Sequence, residues 1–527
     1  MSGKRRARDV LHNDPFRRAR YGPIMEDDDY DGLLKTRHVV GVPGSGSTLL
    51  MKIMAESTRC IVPCRLMPND SSISEVEFIS GDLVNGIRPR RYLPETVCVD
   101  TKELVVEAIE PCSLHHGTWD NTNECNPISE DYMKLSPREL GSPIFCIRDP
   151  IRVFDLWKKD DRNESQGLIH CFERLSRMWE SCLGFPLLYE KLTENPLKVI
   201  SEVCRHWDAP FQCPMMRPTN FGYPFLRGGV KDTGLCRRND SPYDLSDIKD
   251  DYRLVLDEPY HDLLTTMEKE IIEVELGPLY MSYWGDCVRV IRNTLLEKPW
   301  IAFNLDDTLH EFRRASSKAT DLALRYIHEQ TNVPIPDLRS AYSDIIRDSI
   351  SKGFTDGRTS SEYREECFRA LTSTRFQRSL DREGLIHVLK LHRNTFMKNL
   401  ALKSGALELL YTLRRFGKKI AVITEGPHDM QVRTLEILGL TRMIDFVANS
   451  NELRVSKTDG LFQAALEHHG ILGSDMAYIG DSEERDMEPA MDLGLFCIHF
   501  SERKNCNLES NPPRINTLNK LIHILRG

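Results

Sequence analysis

No apolar run in this 527-residue chain is long enough to span a bilayer, which takes about 20 residues as a helix. Membrane insertion is therefore not expected. The basic cluster Lys4, Arg5, Arg6 and Arg8 has no apolar segment behind it, so it does not read as a secretory leader. Positive charge is also scarce overall: the net charge is −9 and the pI about 6.0, giving no global electrostatic reason to expect nucleic acid or an anionic membrane as partner. The 15 cysteines are odd in number and follow no repeating frame, and Cys60 and Cys64 have no second pair to complete a zinc site. They read as reduced thiols of an intracellular, cytoplasmic protein. No internal repeat is present, which sets solenoid and array architectures aside.

What remains is the composition of a globular enzyme, 40% apolar and 28% charged, in a chain too long for one ordinary core. Two domains behind a short tail are expected. Residues 1–36 are polar and charge-segregated, with Arg17, Arg18 and Arg20 followed by Glu26, Asp27, Asp28 and Asp29. Such a segment has too little apolar surface to offset the entropy of ordering, so it reads as a disordered charged tail.

Order is expected to begin near His38. Val39 and Val40 end a strand, Gly41-Val42-Pro43-Gly44-Ser45-Gly46 makes a tight loop, and Leu49, Leu50, Ile53 and Met54 stripe a helix. Strand, glycine loop and helix N-terminus make an anion cradle, because free backbone N–H groups converge at the positive end of the helix dipole. The spacing from Gly41 to Gly46, Ser47 and Thr48 matches a nucleotide P-loop, except that Ser47 stands in place of the lysine. A second strand, Ile144–Ile147, ends in Arg148-Asp149-Pro150. A third segment reads Tyr189-Glu190-Lys191-Leu192, then Asn195-Pro196.

In that order the three segments resemble the sulfotransferases. The resemblance implies a P-loop sulfotransferase-like parallel sheet over residues 37–290. It also implies a site for the sulfonate donor 3′-phosphoadenosine 5′-phosphosulfate (PAPS), held by Gly44, Ser45, Gly46, Ser47 and Thr48, with Arg148 pairing the 3′-phosphate through its planar fork. Two departures stand out: Gly44 replaces the loop's basic residue, and Leu156 replaces a serine eight residues beyond the arginine. The acceptor's general base is not identifiable; His115 and His116 are candidates. A nucleotide hydrolase with Thr96–Asp100 as a Walker-B-like strand is the alternative, weakened by the missing lysine.

The remainder is organised around Trp300-Ile301-Ala302-Phe303-Asn304-Leu305-Asp306-Asp307-Thr308, an apolar run ending in acids. That pattern describes a buried parallel strand delivering charge to the carboxyl edge of a sheet. About a hundred residues of helical character follow. Sheet pattern then resumes at Lys419–Thr424, with Lys457 in a later loop and the strand Ala477–Gly480 running into Asp481 and Asp486.

These four segments resemble the motifs of the haloacid dehalogenase (HAD) superfamily. The resemblance implies an α/β fold with a HAD-like Rossmannoid sheet over residues 291–527 and a helical C1 cap over about 310–400. It makes Asn304, Asp306, Thr424 and Lys457 the candidate catalytic residues, and Asn304, Asp306, Asp481 and Asp486 the candidate Mg²⁺ ligands. In the family the first position is an aspartate nucleophile. Here it is Asn304, whose amide oxygen is far less nucleophilic than a carboxylate and adds no charge for a metal. The sequence therefore reads as a two-domain enzyme of small-molecule, specialised metabolism. It would combine an Mg²⁺-dependent, phosphatase-type HAD-like hydrolase with a sulfotransferase-like transferase on a phosphorylated or sulfatable metabolite. A PAPS-dependent sulfotransferase with a degenerate HAD domain, or a non-catalytic ligand-binding scaffold, stands as the alternative. Neither nucleic acid nor membrane is expected as partner, and the oligomeric state is open.

Overall fold

The computed structural model describes residues 35–42, 44–54, 60–61, 96–100, 143–159, 165–181, 184–207, 211, 213–216, 263–351 and 353–527. The tail expected over 1–36 lies outside these residues up to position 34, as do His115 and His116. The chain divides into two compact units, Met1–Tyr283 and Trp284–Gly527. The helix Asp286–Glu297 thus falls in the second unit, where a boundary at 290 would have cut it.

In the first unit five strands form one parallel sheet: β1 (Lys35–Gly41), β2 (Cys60–Ile61), β3 (Thr96–Asp100), β4 (Ile144–Ile147) and β5 (Phe185–Leu188), in the order β2-β3-β1-β4-β5. All four residues of β4 are buried, and Leu50, Ile53, Ile200, Val203 and Trp207 pack with Ile144 in a continuous core. Such a run suits a strand covered on both faces. The helix Pro196–His206 starts where Asn195 accepts the Lys198 N–H and proline, which has no N–H to lose, takes the first turn. Because β1 is central, the loop after Gly41 and the turn after Ile147 emerge at the same sheet edge. A crevice at such an edge is where open α/β sheets bind ligands.

The second unit carries β6 (Trp300–Phe303), β7 (Lys419–Thr424), β8 (Phe446–Asn449), β9 (Met476–Gly480), β10 (Phe496–Phe500) and β11 (Arg514–Ile515), all parallel in the order β11-β10-β9-β6-β7-β8. Between β6 and β7 lie the helices Phe312–Thr331, Ile335–Ser351, Ser360–Arg369 and Arg382–Lys398. They have a core of their own, in which Leu324, Ile327, Leu338, Phe368, Leu371 and Val388 are buried. A capping box of Thr359 and Glu362 starts the third helix, and Asp381 caps the fourth through the Gly384 N–H. Under the sheet, Phe462 meets Tyr478 edge-on, with ring centroids 4.8 Å apart.

Two stability outcomes follow from this packing. Phe462→Ala removes a fully buried ring and should lower the unfolding free energy of the second unit by about 3–5 kcal/mol in urea titrations. In the first unit, Glu190 is fully buried and accepts the Asp149 N–H at 2.8 Å. Burial, reinforced by the Asp149 carboxylate, pushes its pKa up to about 7, against the pull of Arg148. The folded chain therefore keeps this proton where the unfolded chain, with a value near 4.5, releases it. The stabilisation is complete below pH 4.5 and is lost as pH rises towards 7. The stability difference between the native protein and Glu190→Gln should shift by on the order of 3 kcal/mol across that window. An unchanging difference would exclude a neutral buried acid.

Candidate functional site

Three neighbouring strands end together in the second unit. Asn304 follows β6, Thr424 ends β7 and Asp481 follows β9, and β6 pairs with both of the others. The Asn304 backbone N–H extends the ladder to the Ile479 carbonyl at 2.9 Å, so its side chain is projected from a fixed point. Lys457 Nζ donates to Asn304 Oδ1 at 3.1 Å, while Asn304 Nδ2 donates to the Asp306 carbonyl at 2.8 Å and to Asp481 Oδ1 at 2.9 Å. An ammonium can only donate and those two oxygens can only accept, so the orientation of the amide is determined by its neighbours.

Lys457, 3% exposed, also donates to Tyr478 Oη at 3.0 Å and pairs with Asp486, which is 1% exposed. The single Tyr478 hydroxyl proton has two acceptors in reach, Asp486 at 2.9 Å and the Ile423 carbonyl at 3.0 Å, the second of which lies on β7. Asp486 takes the Ser482 N–H on its other oxygen at 3.0 Å. Its carboxylate folds back over Gly480, where a Cβ would lie 2.6 Å from it, so only glycine fits at that strand end. The backbone of Lys457 is set by Glu425, whose Oε1 accepts its N–H at 2.7 Å and whose carboxylate is paired with Arg485.

Asp306 is held by His310 Nε2 at 2.8 Å and by Gln431 Nε2 at 3.3 Å. Asp307 adopts a left-handed φ of 56°, and its carboxylate takes the Arg313 N–H at 3.0 Å and pairs with Arg313 Nε at 3.1 Å. Burial raises the pKa of Asp307, an effect opposed by Arg313. Asp481 is likewise raised by burial and then by the charge of Asp486, against the pull of Asn304, Arg313 and Lys457. Burial, with Asp486 second, drives Tyr478 well above the ordinary tyrosine range. Thr424 is fully buried, and its hydroxyl has no hydrogen-bond partner among the described residues.

The candidate residues Asn304, Lys457, Asp481 and Asp486 thus come together, and Asp306 joins them through its carbonyl. The donor set does not match the magnesium site anticipated from the sequence. The Asn304 NH₂ points at the Asp306 carbonyl and Asp481 Oδ1 and so presents protons, not lone pairs, between them, and Asp486 is turned to Lys457 and Tyr478. Among the described residues no three His, Cys, Asp or Glu side chains are arranged to hold a metal ion. Sequence reading missed Tyr478, which sits in an apolar strand and reads as core, together with Arg313, Glu425 and Gln431. His310 carried one signal, its spacing of four from Asp306.

In the first unit the loop and Arg148 also meet. Arg148 Nη1 donates to the Gly44 carbonyl at 3.1 Å, and its guanidinium lies 4.1 Å from the Tyr189 ring centroid. Gly44 and Gly46 have φ of 89° and 97°, and a Cβ on Gly46 would lie 2.4 Å from Tyr189, so the loop needs glycine there. Ser45 and Ser47 are buried; the Thr48 side chain lies outside the described residues. Leu156 Cδ1 is 3.5 Å from a Cβ built on Gly44, so an apolar group lies against the loop. The arginine expected to take the donor's 3′-phosphate therefore braces the loop itself.

Residues 301–500 match the family model described as haloacid dehalogenase-like hydrolase. Glyceraldehyde 3-phosphate phosphatase of Methanocaldococcus jannaschii is 25% identical over 236 residues, which is 43% of this chain and 96% of that protein. Ribulose-1,5-bisphosphate 5-phosphatase of Halopiger xanaduensis is 27% identical over 131 residues, 25% of this chain and 55% of that one. Among solved structures, a magnesium-bound HAD-hydrolase of Bacillus subtilis overlaps 44% of this chain and all (100%) of its own, with a TM-score of 0.36 and 22% identity. On the family match over residues 301–500, the second unit contains a HAD-like domain, similar in sequence to these two phosphatases.

Proposed function

We propose that the second unit binds a small phosphorylated metabolite at the strand ends of β6, β7 and β9, and that it does so without forming a covalent aspartyl intermediate. The observation that carries this reading is the Asn304 carboxamide, engaged on its oxygen and twice on its nitrogen at the position of an attacking carboxylate. A phosphoryl group supplies what the pocket's polar groups need. Lys457, itself engaged by Asn304, Tyr478 and Asp486, places a positive charge behind the strand ends, and an oxygen of the ligand gives the buried Thr424 hydroxyl a partner whose absence would cost about 1–3 kcal/mol. The helical insert between β6 and β7 has the position of a cap that excludes water and selects the organic part of the ligand. The two phosphatase relatives act on phosphorylated small molecules by name, which supports the ligand class.

The test pairs binding with turnover. Inorganic phosphate should bind the full-length protein calorimetrically and lose affinity in Thr424→Val. Hydrolysis of p-nitrophenyl phosphate should stay at background in the native protein and appear in Asn304→Asp supplied with Mg²⁺. Native turnover that Asp481→Ala abolishes would overturn the non-covalent reading.

The first unit supports a second proposal, an anion cradle at the end of β1 made by loop 44–47 with Arg148 behind it. Its support is the Arg148 contact to Gly44 and the shared edge of β1 and β4. PAPS is the ligand implied by the resemblance to sulfotransferases, and Leu156 replaces a polar contact to it. Adenosine 3′,5′-bisphosphate should bind in a calorimetric titration and be lost in Arg148→Ala. Absence of binding to the native protein would remove the transferase reading.

A further inference from the structure

We infer that the second unit holds its strand-end site together without a divalent cation, because the Asn304 carboxamide and the Arg313 guanidinium occupy the cation's two roles. The first role is to bridge oxygens. Asn304 Nδ2 lies 2.8 Å from the Asp306 carbonyl and 2.9 Å from Asp481 Oδ1, and its two protons satisfy both. The second is to offset negative charge. Arg313 reaches Asp481 Oδ2 at 3.3 Å and Asp307 Oδ2 at 3.1 Å, while Lys457 pairs with Asp486.

The four carboxylates are all engaged by protein groups. Asp481 Oδ1 also has the Thr308 hydroxyl at 3.4 Å, Asp306 is taken by His310 and Gln431, Asp307 by Arg313, and Asp486 by Lys457, Tyr478 and the Ser482 N–H. Every oxygen of these four carboxylates therefore has a protein partner, and the space between the Asp306 carbonyl and Asp481 Oδ1 is taken by the Asn304 NH₂, whose protons would repel a cation there. An aspartate at 304 changes this at once. It sets an oxygen without a proton 2.8–2.9 Å from two other oxygens and adds a fifth carboxylate, an arrangement that needs a cation between them. Position 304 thus decides between a proton-bridged and a metal-bridged site on one scaffold, whatever ligand the pocket takes.

The experiment follows Mn²⁺ binding to the full-length protein by electron paramagnetic resonance, alongside thermal unfolding in EDTA and in MgCl₂. The native protein should show no saturable Mn²⁺ binding at millimolar concentration and an unchanged Tm in the two buffers. Asn304→Asp should bind one equivalent of Mn²⁺, lose it in Asn304→Asp with Asp481→Ala, and have a Tm that MgCl₂ raises and EDTA lowers. Saturable binding by the native protein that Asp481→Ala abolishes would overturn the inference, and that measurement decides even if Asn304→Asp does not fold. Phosphate calorimetry on the same metal-free sample separates this inference from the ligand proposal. Failure of phosphate binding without Mn²⁺ uptake removes only the ligand reading.

Discussion

A lysine ammonium almost sealed from water is the constraint on which the second unit's strand ends depend. Buried charge is tolerated only with partners, and breaking such a set typically costs about 3–5 kcal/mol because a charge is left uncompensated. Lys457 finds Asn304 on β6's continuation, Tyr478 on β9 and Asp486 on the turn after β9, while the Tyr478 hydroxyl has the Ile423 carbonyl of β7 within hydrogen-bond reach. Three separate strand termini are thereby referred to one cation. The amide at 304 is a full member of this set, since its oxygen serves the lysine and its nitrogen serves the acids.

That membership shapes the chemistry. An attacking carboxylate at this position must bring a lone pair to phosphorus and share a cation with its neighbours. A carboxamide does neither, yet without a charge of its own it keeps the Asp306 carbonyl, Asp481 and Lys457 in place through hydrogen bonds. Arg313, mostly exposed, adds a second positive charge beside Asp481 and Asp307 from the first turn of the helix that follows. The proposed recognition of a phosphorylated ligand without covalent attack rests on that exchange of carboxylate for carboxamide. Opposite pKa pressures fit this picture: burial and Asp486 raise Asp481, and the asparagine, arginine and lysine pull it back.

Much of this was legible in the chain. Apolar runs that stop at Asn304, Thr424 and Gly480 announce buried parallel strands, because a strand covered on both faces has no polar alternation to show. Lys457, Asp481 and Asp486 were legible through the resemblance to the HAD motifs, and Arg148 through the resemblance to the sulfotransferases. Tyr478 was not, since a tyrosine inside an apolar strand has the same pattern as a core residue and its hydroxyl acquires meaning only from what lies opposite. Arg313 and Gln431 were hidden for the same reason: their partners are distant in sequence or set by a turn with a left-handed residue at Asp307.

The sequence by itself determined the identity of the group at the tip of β6, and with it the loss of the carboxylate. It also determined the order of strands and helices, since periodicity and strand-end residues are local properties. Only the tertiary structure decided which way that amide faces, that its NH₂ is shared between the Asp306 carbonyl and Asp481, and that Arg148 braces its own loop. Those outcomes depend on distances between residues more than a hundred positions apart, which pairing of strands sets and local pattern does not contain.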